Sequence, residues 1–182
     1  MASEPVSLFE ARDHLKLDTT GSTHPDDALV EAYIEAAREH VENRTGRTLV
    51  TTARTEYFDC WQDEFILMWA PVLSITTLKY VAGDGTLTTL DSAIYRTDLA
   101  SLRARVTLAY GEVWPDALPV SNAIQFAYST GPAAAVTGAL KQAVLLLAAH
   151  WYENRVPVGP GSLGEMPHMV SDLIGPYRVI RL

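Results

Sequence analysis

The apolar residues of this 182-residue chain change their spacing twice, and this change limits the fold more than any other feature. Near both ends they recur at the three- and four-residue steps of a helix face. Between about residues 49 and 128, short runs of β-branched and aromatic residues alternate with period two, as in strands of an antiparallel sheet. The sequence therefore predicts an α+β fold, a helical bundle with an inserted antiparallel β region and an extended C-terminal tail.

A long helix is predicted over residues 25–45. Pro25 suits the first turn because that position needs no backbone donor, and Gly46 suits the end because glycine adopts the left-handed conformation of a C-cap. Apolar residues follow helical steps between them, and acidic residues occupy the other faces. The acidic residues are Asp27, Glu31, Glu35, Glu39 and Glu42. This pattern predicts an amphipathic helix with an acidic side.

Three further helices are expected. Ser7 and Glu10 fit a capping box, which begins a short helix near residues 7–17. Another short helix is expected near 167–174. The helix over about 138–154 carries apolar residues on almost every side, so we expect it to be the most buried element of the fold or of an assembly.

The β region contains six expected strands. Gly83-Asp84-Gly85 lies between two of them and predicts a hairpin turn, because glycine tolerates a positive φ. The strands are expected at residues 49–58, 65–69, 75–81, 86–90, 105–110 and 123–128. The last residues of the chain, 177–182, alternate large and basic groups, which is typical of an extended segment that adds to a sheet edge.

Charge and cysteine content exclude several classes of protein. A formal net charge of −8 offers no broad basic surface, and tight nucleic-acid binding depends on Lys and Arg. Cys60 is the only cysteine, so neither an internal disulfide nor a multi-cysteine zinc site can form, and a reducing compartment is expected. The N-terminal residues lack the pattern of a signal peptide, and the apolar stretch near residue 145 is too short for a membrane helix.

No motif predicts catalysis, a cofactor or a metal. The histidines are scattered over different predicted elements, without the spacing that brings two metal ligands together. Asp59, Asp63 and Glu64 lie near Cys60, and a solvated loop is the favoured interpretation of that cluster over a catalytic one. Trp114 is interpreted as a side chain that covers the core instead of a ligand platform.

Four segments together resemble a known protein family. They are residues 36–52 (AAREHVENRTGRTLVTT), 95–115 (YRTDLASLRARVTLAYGEVWP), 140–155 (LKQAVLLLAAHWYENR) and 176–181 (PYRVIR). In this order they resemble the head-to-tail connector, or adaptor, proteins of long-tailed bacteriophages and gene transfer agents. The resemblance covers nearly the whole chain, and HWYENR with the terminal PYR is its most specific part.

The length of 182 residues and the apolar content of 48% suit one compact domain over residues 1–182. The resemblance implies that this single connector domain forms a ring, typically dodecameric, beneath the portal of a DNA-filled capsid. The next neck or stopper protein would bind the ring, and DNA would pass through its centre without specific binding. The segment 175–182 is then a docking tail for the portal. The residues expected to bind the partner are Tyr177, Arg178, Val179, Ile180, Arg181 and Leu182.

The acidic residues of the long helix are expected to face neighbouring subunits or the channel, where negative charge lets DNA slide. The resemblance also implies a place in the neck of a virion or gene-transfer-agent particle, assembled in the bacterial cytoplasm. Two alternatives stay open. One is another neck or tail-completion protein, and the other is a small hydrolase that uses the 59–64 loop.

Overall fold

The computed structural model describes residues 4–18, 20–21, 23–132, 134, 136–154 and 168–179. They form helices and antiparallel sheets, so the predicted α+β class is confirmed. The chain divides into two compact units, a helical unit made by Met1–Val50 with Ala134–Ile180 and a β unit made mainly by Thr51–Ala133. The β unit is thus inserted in the sequence of the helical unit. A single connector domain over residues 1–182 stays a prediction.

Four α-helices lie within the described ranges, one at each predicted position. They are α1 (Leu8–His14), α2 (Asp27–Thr45), α3 (Gly138–Glu153) and α4 (His168–Ile174), and a 3-10 turn at Gly175–Tyr177 follows α4. Apolar side chains of all four helices form the core of this unit. Among them are Val30, Ile34, Val41, Val144, Leu147 and Val170.

Local signals set the ends of the first two helices. The capping box is confirmed, since the Glu10 N–H donates to Ser7 Oγ at 3.2 Å and the Ser7 N–H donates to Glu10 Oε2 at 2.8 Å. Gly46 ends α2 in the left-handed conformation at φ 70°, as predicted. The helix begins at Asp27, two residues later than expected, because Pro25 lies in the turn that precedes it.

One side of α3 is buried and the other is only half-covered. The buried residues are Leu140, Ala143, Val144, Leu147 and Ala148. Leu145, Leu146 and Ala149 on the other side are partly exposed, and so is Trp151, which packs against Tyr33 with 6.5 Å between ring centroids. The helix is therefore not covered on every side within the described chain, although its sequence is apolar all round.

The β unit contains two antiparallel sheets with an aromatic core. Its strands are β1 (Thr52–Phe58), β2 (Glu64–Ile66), β3 (Val72–Val81), β4 (Leu87–Thr89), β5 (Tyr95–Asp98), β6 (Arg105–Leu108) and β7 (Ile124–Thr130). One sheet has the order β1-β7-β3-β4 and the other has the order β2-β6-β5. Phe65, Leu78, Val106 and Phe126 are fully buried between them. The strand alternation predicted from the sequence therefore produces an inner apolar face in each sheet.

The predicted hairpin is confirmed, whereas one strand was not predicted. Lys79 pairs with Thr89 across β3 and β4, and Gly85 adopts φ 85° in the turn between them. The additional strand β5 pairs with β6, and three of its four residues are exposed. Its sequence, YRTD, therefore lacks the apolar alternation that marks a strand.

The first and last strands of the β unit lie side by side. Thr52 of β1 pairs with Thr130 of β7. A Cβ atom on Gly131 would lie 2.9 Å from the Cα atom of Thr51, closer than side chains approach a backbone. Only glycine allows the chain to leave the β unit so close to the point where it entered.

Candidate interaction surfaces

An exposed acidic row runs along α2. Glu31, Glu35 and Glu39 are four residues apart, which places them on one side of the helix, and all three are exposed. Three carboxylates at this spacing repel one another. We therefore expect the row either to stay in solvent or to bind a partner with basic residues that reduce the repulsion. That it faces a neighbouring subunit or a channel stays a prediction.

Glu42 belongs to the interior instead of this row. Glu42 is only 5% exposed. Its Oε1 accepts a hydrogen bond from the Leu49 N–H at 2.6 Å, and its Oε2 accepts one from Arg38 Nη1 at 3.0 Å. The carboxylate thereby joins the end of α2 to the segment that follows it. The prediction that Glu42 lies on an exposed subunit or channel face is corrected accordingly.

Arg38 is surrounded by carboxylates. Besides Glu42 it contacts Glu4, whose Oε2 accepts from Nε at 2.9 Å, and its Nη2 lies 3.8 Å from Glu35 and 3.7 Å from Glu39. Partial burial raises the pKa of Glu4 above its usual value, against the opposing attraction of Arg38. One buried guanidinium thus offsets part of the charge on the acidic row.

Asp27 fastens α1 to the start of α2. Its carboxylate accepts hydrogen bonds from Arg12, one of them from Nε at 2.6 Å, and from the His24 N–H at 2.8 Å. Two hydrogen bonds lower the pKa of Asp27: the one from the Arg12 side chain has the larger effect, and the one from the His24 N–H has the smaller. Asp27 is half-exposed. Its carboxylate is therefore already bound within the helical unit, and a neighbouring subunit would have to compete with Arg12.

The C-terminal tail is partly packed on its own chain. The 3-10 turn includes Tyr177, whose carbonyl accepts from Arg47 Nε at 2.8 Å. The Val179 N–H donates to the Thr45 carbonyl at 2.7 Å, and Val179 is 9% exposed. These contacts differ from the prediction of an extended strand starting at residue 177, because they pair the backbone with the end of α2. Arg178 is exposed, and Ile180, Arg181 and Leu182 lie outside the described residues.

The acidic loop around Cys60 has structural contacts. Asp59 Oδ1 accepts from the Asn122 N–H at 2.7 Å, and Glu64 lies 3.3 Å from Arg105 across two paired strands. Cys60 is an exposed free thiol. The two carboxylates thus have separate structural partners within the β unit, as expected for a solvated loop.

No metal-ligand cluster of three or more His, Cys, Asp or Glu side chains occurs in the described ranges. The helices that the structure describes are also too short or too polar to cross a membrane. Besides the acidic row and the tail, two further features of the described residues are exposed to solvent.

The first of these features is a projecting turn, residues 109–113, which we name the Tyr110 turn. Tyr110 is 99% exposed and Val113 is 79% exposed. Gly111 has φ 84°, and a backbone hydrogen bond of 3.1 Å closes the turn. Trp114 follows and stacks on Trp61 at 4.5 Å between ring centroids, as expected for a side chain that covers the core. The turn is thus anchored at its base while Tyr110 stands in solvent.

The second feature is a groove of about 280 Å³ among α1, α3 and α4, which we name the α3–α4 groove. It is lined by His14, Leu146, Ala149, His150, Glu153, Met169 and Val170. Met169 is 63% exposed. The sequence signal for this groove is the presence of apolar residues on almost every side of α3, from which the sequence predicts a buried helix. Tyr110 was missed because its exposure depends on how the turn is held.

Comparisons with known proteins agree with a role carried by surfaces. Residues 5–68 match the family model described as phage gp6-like head-tail connector protein. The chain is also similar to a solved chain from the neck of an empty gene transfer agent (GTA) particle computed with C6 symmetry. The two are 31% identical with a TM-score of 0.74, over 100% of this chain and 97% of the other.

Two further solved chains are similar to nearly the same extent. One comes from the virion of a native gene transfer agent particle and the other from the neck of a native GTA particle computed with C12 symmetry. Each is 30% identical with a TM-score of 0.72, over 100% of this chain and 97% of the other. No curated protein sequence matches the chain.

The family match and the similar neck chains define a structural protein of the head-to-tail junction. The chain belongs to the phage gp6-like head-tail connector family, and it is a structural head-to-tail connector subunit. The resemblance seen in the sequence is thereby confirmed.

Proposed function

We propose that the chain forms a ring in the neck of a phage or gene-transfer-agent particle, where it joins the head to the tail around the DNA channel. The observation that carries this proposal is the similarity along the whole chain to subunits of GTA necks. The ring lies beneath the portal protein and presents a platform for the next neck or stopper protein. It performs no catalysis and is assembled in the bacterial cytoplasm.

A twelve-subunit ring is the favoured size. The similar chains come from necks computed with C12 and C6 symmetry, and a ring of twelve subunits is compatible with both because six divides twelve. A ring of this kind needs no cofactor or membrane contact. Its stability depends on protein–protein contacts, which occupy two different surfaces of every subunit.

The charge of the chain suits a channel for DNA. With a net charge of −8, the ring repels the phosphate backbone more than it attracts it. The exposed row of Glu31, Glu35 and Glu39 provides a surface that DNA can pass without capture if it lines the channel. The same row serves equally well between subunits if a neighbour supplies basic residues.

The proposed function is tested by reconstitution with the cognate portal protein. We expect the full chain to co-purify with portal rings and to give a complex whose native mass corresponds to about twelve copies per portal. Native mass spectrometry measures the copy number, and an unrelated acidic protein of similar size serves as the negative control. A folded chain that neither binds the portal nor incorporates into particles would contradict the proposal.

The tail makes a separate prediction. Arg178 is exposed beside the packed Tyr177 and Val179, so its guanidinium is available to a portal carboxylate. Replacing Arg178 with glutamate should weaken portal binding by at least about tenfold, the cost of losing one good charged contact. The melting temperature should stay unchanged because Arg178 has no described role in the core.

The matched control is Arg44→Glu, the same charge reversal at an exposed position of α2. It should leave portal binding nearly unchanged. Equal losses for the two variants would mean that overall charge, and not the tail, determines the affinity. Binding is measured by surface plasmon resonance on immobilised portal rings, at two salt concentrations to reveal the electrostatic part.

A further inference from the structure

A ring of more than two identical subunits needs two different contact surfaces on each copy, because each subunit gives one surface to the neighbour on one side and the other to the neighbour on the opposite side. The described residues offer a projecting surface and a concave surface, and both carry apolar side chains. The Tyr110 turn of the β unit projects, and the α3–α4 groove of the helical unit recedes.

We propose that the Tyr110 turn of one copy docks in the α3–α4 groove of the next copy around the ring. This contact rests on the proposed function, since it requires a ring, and it names the residues that close the ring. The occupant of the groove is thus a second copy of this chain.

The groove has the size and lining for an aromatic ring. Its volume of about 280 Å³ exceeds the roughly 150 Å³ of an apolar protein cavity that accepts benzene. Leu146, Ala149 and Val170 provide an apolar wall, and the flexible thioether of Met169 can adapt to the shape of the side chain that enters. The phenol hydroxyl of Tyr110 can remain near the polar rim formed by His150 and Glu153.

One charged residue at each surface forms an opposite-charge pair, although the depression beside Tyr110 also contains Glu64 and Asp98. Arg96 is exposed and lines the same surface depression as Tyr110, and it forms no ion pair within the described chain. Glu153 is exposed at the groove and likewise has no ion pair among the residues that the structure describes. Docking of Tyr110 would bring one unpaired guanidinium towards one unpaired carboxylate. Such pairs at an interface rim favour the correct partner and orientation.

The Tyr110 turn is held ready for binding. Its backbone is closed by a hydrogen bond, and the stacked pair of Trp114 and Trp61 fixes its base. A preformed turn loses little conformational entropy when it docks, so most of the gain from burying the aromatic side chain is retained. Exposed tyrosines that enter apolar pockets are frequent among residues that dominate binding energy.

The test is a disulfide between neighbouring copies. Tyr110→Cys and Ala149→Cys are combined in a Cys60→Ser background, which removes the only native cysteine. Particles or portal complexes assembled with this chain are oxidised and run on non-reducing gels. We expect a ladder of covalent oligomers that extends beyond the dimer, because every copy gives one bond and receives another. A 1:1 mixture of the two single variants should stop at dimers.

The matched control moves the first cysteine to Leu87, an exposed apolar residue elsewhere on the β unit. Leu87→Cys with Ala149→Cys should give no ladder. Native mass spectrometry of the same samples reports ring formation independently of crosslinking. Rings without a Tyr110–Ala149 ladder, or a disulfide within a single chain, would overturn this inference and leave the proposed function standing. Absence of rings and of particle incorporation in the unmodified chain would overturn both.

A charge exchange provides a second measurement that needs no cysteine. Arg96→Glu alone and Glu153→Arg alone should each reduce the fraction of assembled rings, by about threefold to tenfold at fixed protein concentration. The double variant should recover most of this loss. If the fold-reductions in assembled rings caused by the two single variants multiply in the double variant, the two side chains do not contact each other.

Discussion

Replacing Phe65 with alanine is expected to lower the free energy of unfolding of the β unit by about 3–5 kcal/mol. Phe65 is 0% exposed. Its ring centroid lies 4.9 Å from that of Phe58, 4.9 Å from that of Phe126 and 6.0 Å from that of Trp114. Alanine would leave a cavity among these rings, so the effect should be among the largest of any single truncation in the unit.

Urea unfolding followed by tryptophan fluorescence measures the effect, since Trp61 and Trp114 report on the same cluster. Tyr57→Ala is the control, because Tyr57 lies in the same unit but is 52% exposed. It should cost less than about 1 kcal/mol. If Phe65→Ala changed the unfolding midpoint no more than Tyr57→Ala, the aromatic cluster would not be the core of this unit.

Replacing Glu42 with alanine is the second substitution with a large expected effect, a loss of about 3 kcal/mol in the stability of the helical unit. The change removes the acceptor of the Leu49 N–H and one carboxylate partner of Arg38. An N–H left buried without an acceptor costs about 1–3 kcal/mol. Arg38 keeps Glu4 as a partner, which limits the loss on that side.

Two variants separate the contributions. Glu42→Gln keeps an oxygen for the Leu49 N–H and loses the charge, so it should cost less than alanine. Glu39→Ala truncates a glutamate of the same helix whose side chain is 61% exposed, and it should be nearly neutral. Thermal unfolding followed by circular dichroism at the helix band gives the order. A Glu42→Ala variant with the same melting temperature as the unmodified chain would contradict the interior position of this carboxylate.

The features that the sequence predicted well depend on neighbouring residues. The capping box at Ser7, the C-cap at Gly46 and the hairpin at Gly85 each follow from the conformational preferences of a few adjacent residues. Helical spacing also located all four helices of the described chain to within about two residues at most ends. Strand β5 was not predicted because its residues are mostly exposed and polar, and they form a strand only by pairing with β6.

The candidate surfaces could be predicted only in part, since exposure depends on residues that are distant in sequence. The spacing of Glu31, Glu35 and Glu39 placed them correctly on one exposed side of α2. Glu42 fits a similar pattern, but contacts with Leu49 and Arg38 draw it inward. The tail shows the same limit, since an alternating sequence cannot reveal that the Thr45 carbonyl accepts a hydrogen bond from Val179.

Composition alone excluded functions without naming one. The single cysteine and the acidic charge argued against a disulfide-stabilised secreted protein and against a tight nucleic-acid binder. The connector role came from the resemblance of four segments, which the family match and the similar neck chains then confirmed. The groove and the Tyr110 turn required the folded chain, because neither has a sequence motif of its own.

The pairing of Thr52 with Thr130 makes the β unit an exchangeable insertion. Since the chain enters and leaves this unit at adjacent points, evolution can lengthen its hairpins or alter its exposed turns without changing the path of the four helices. Gly131 permits this close approach because a side chain there would collide with Thr51. A connector lineage that meets a new partner can therefore remodel one half of the molecule while it preserves the other.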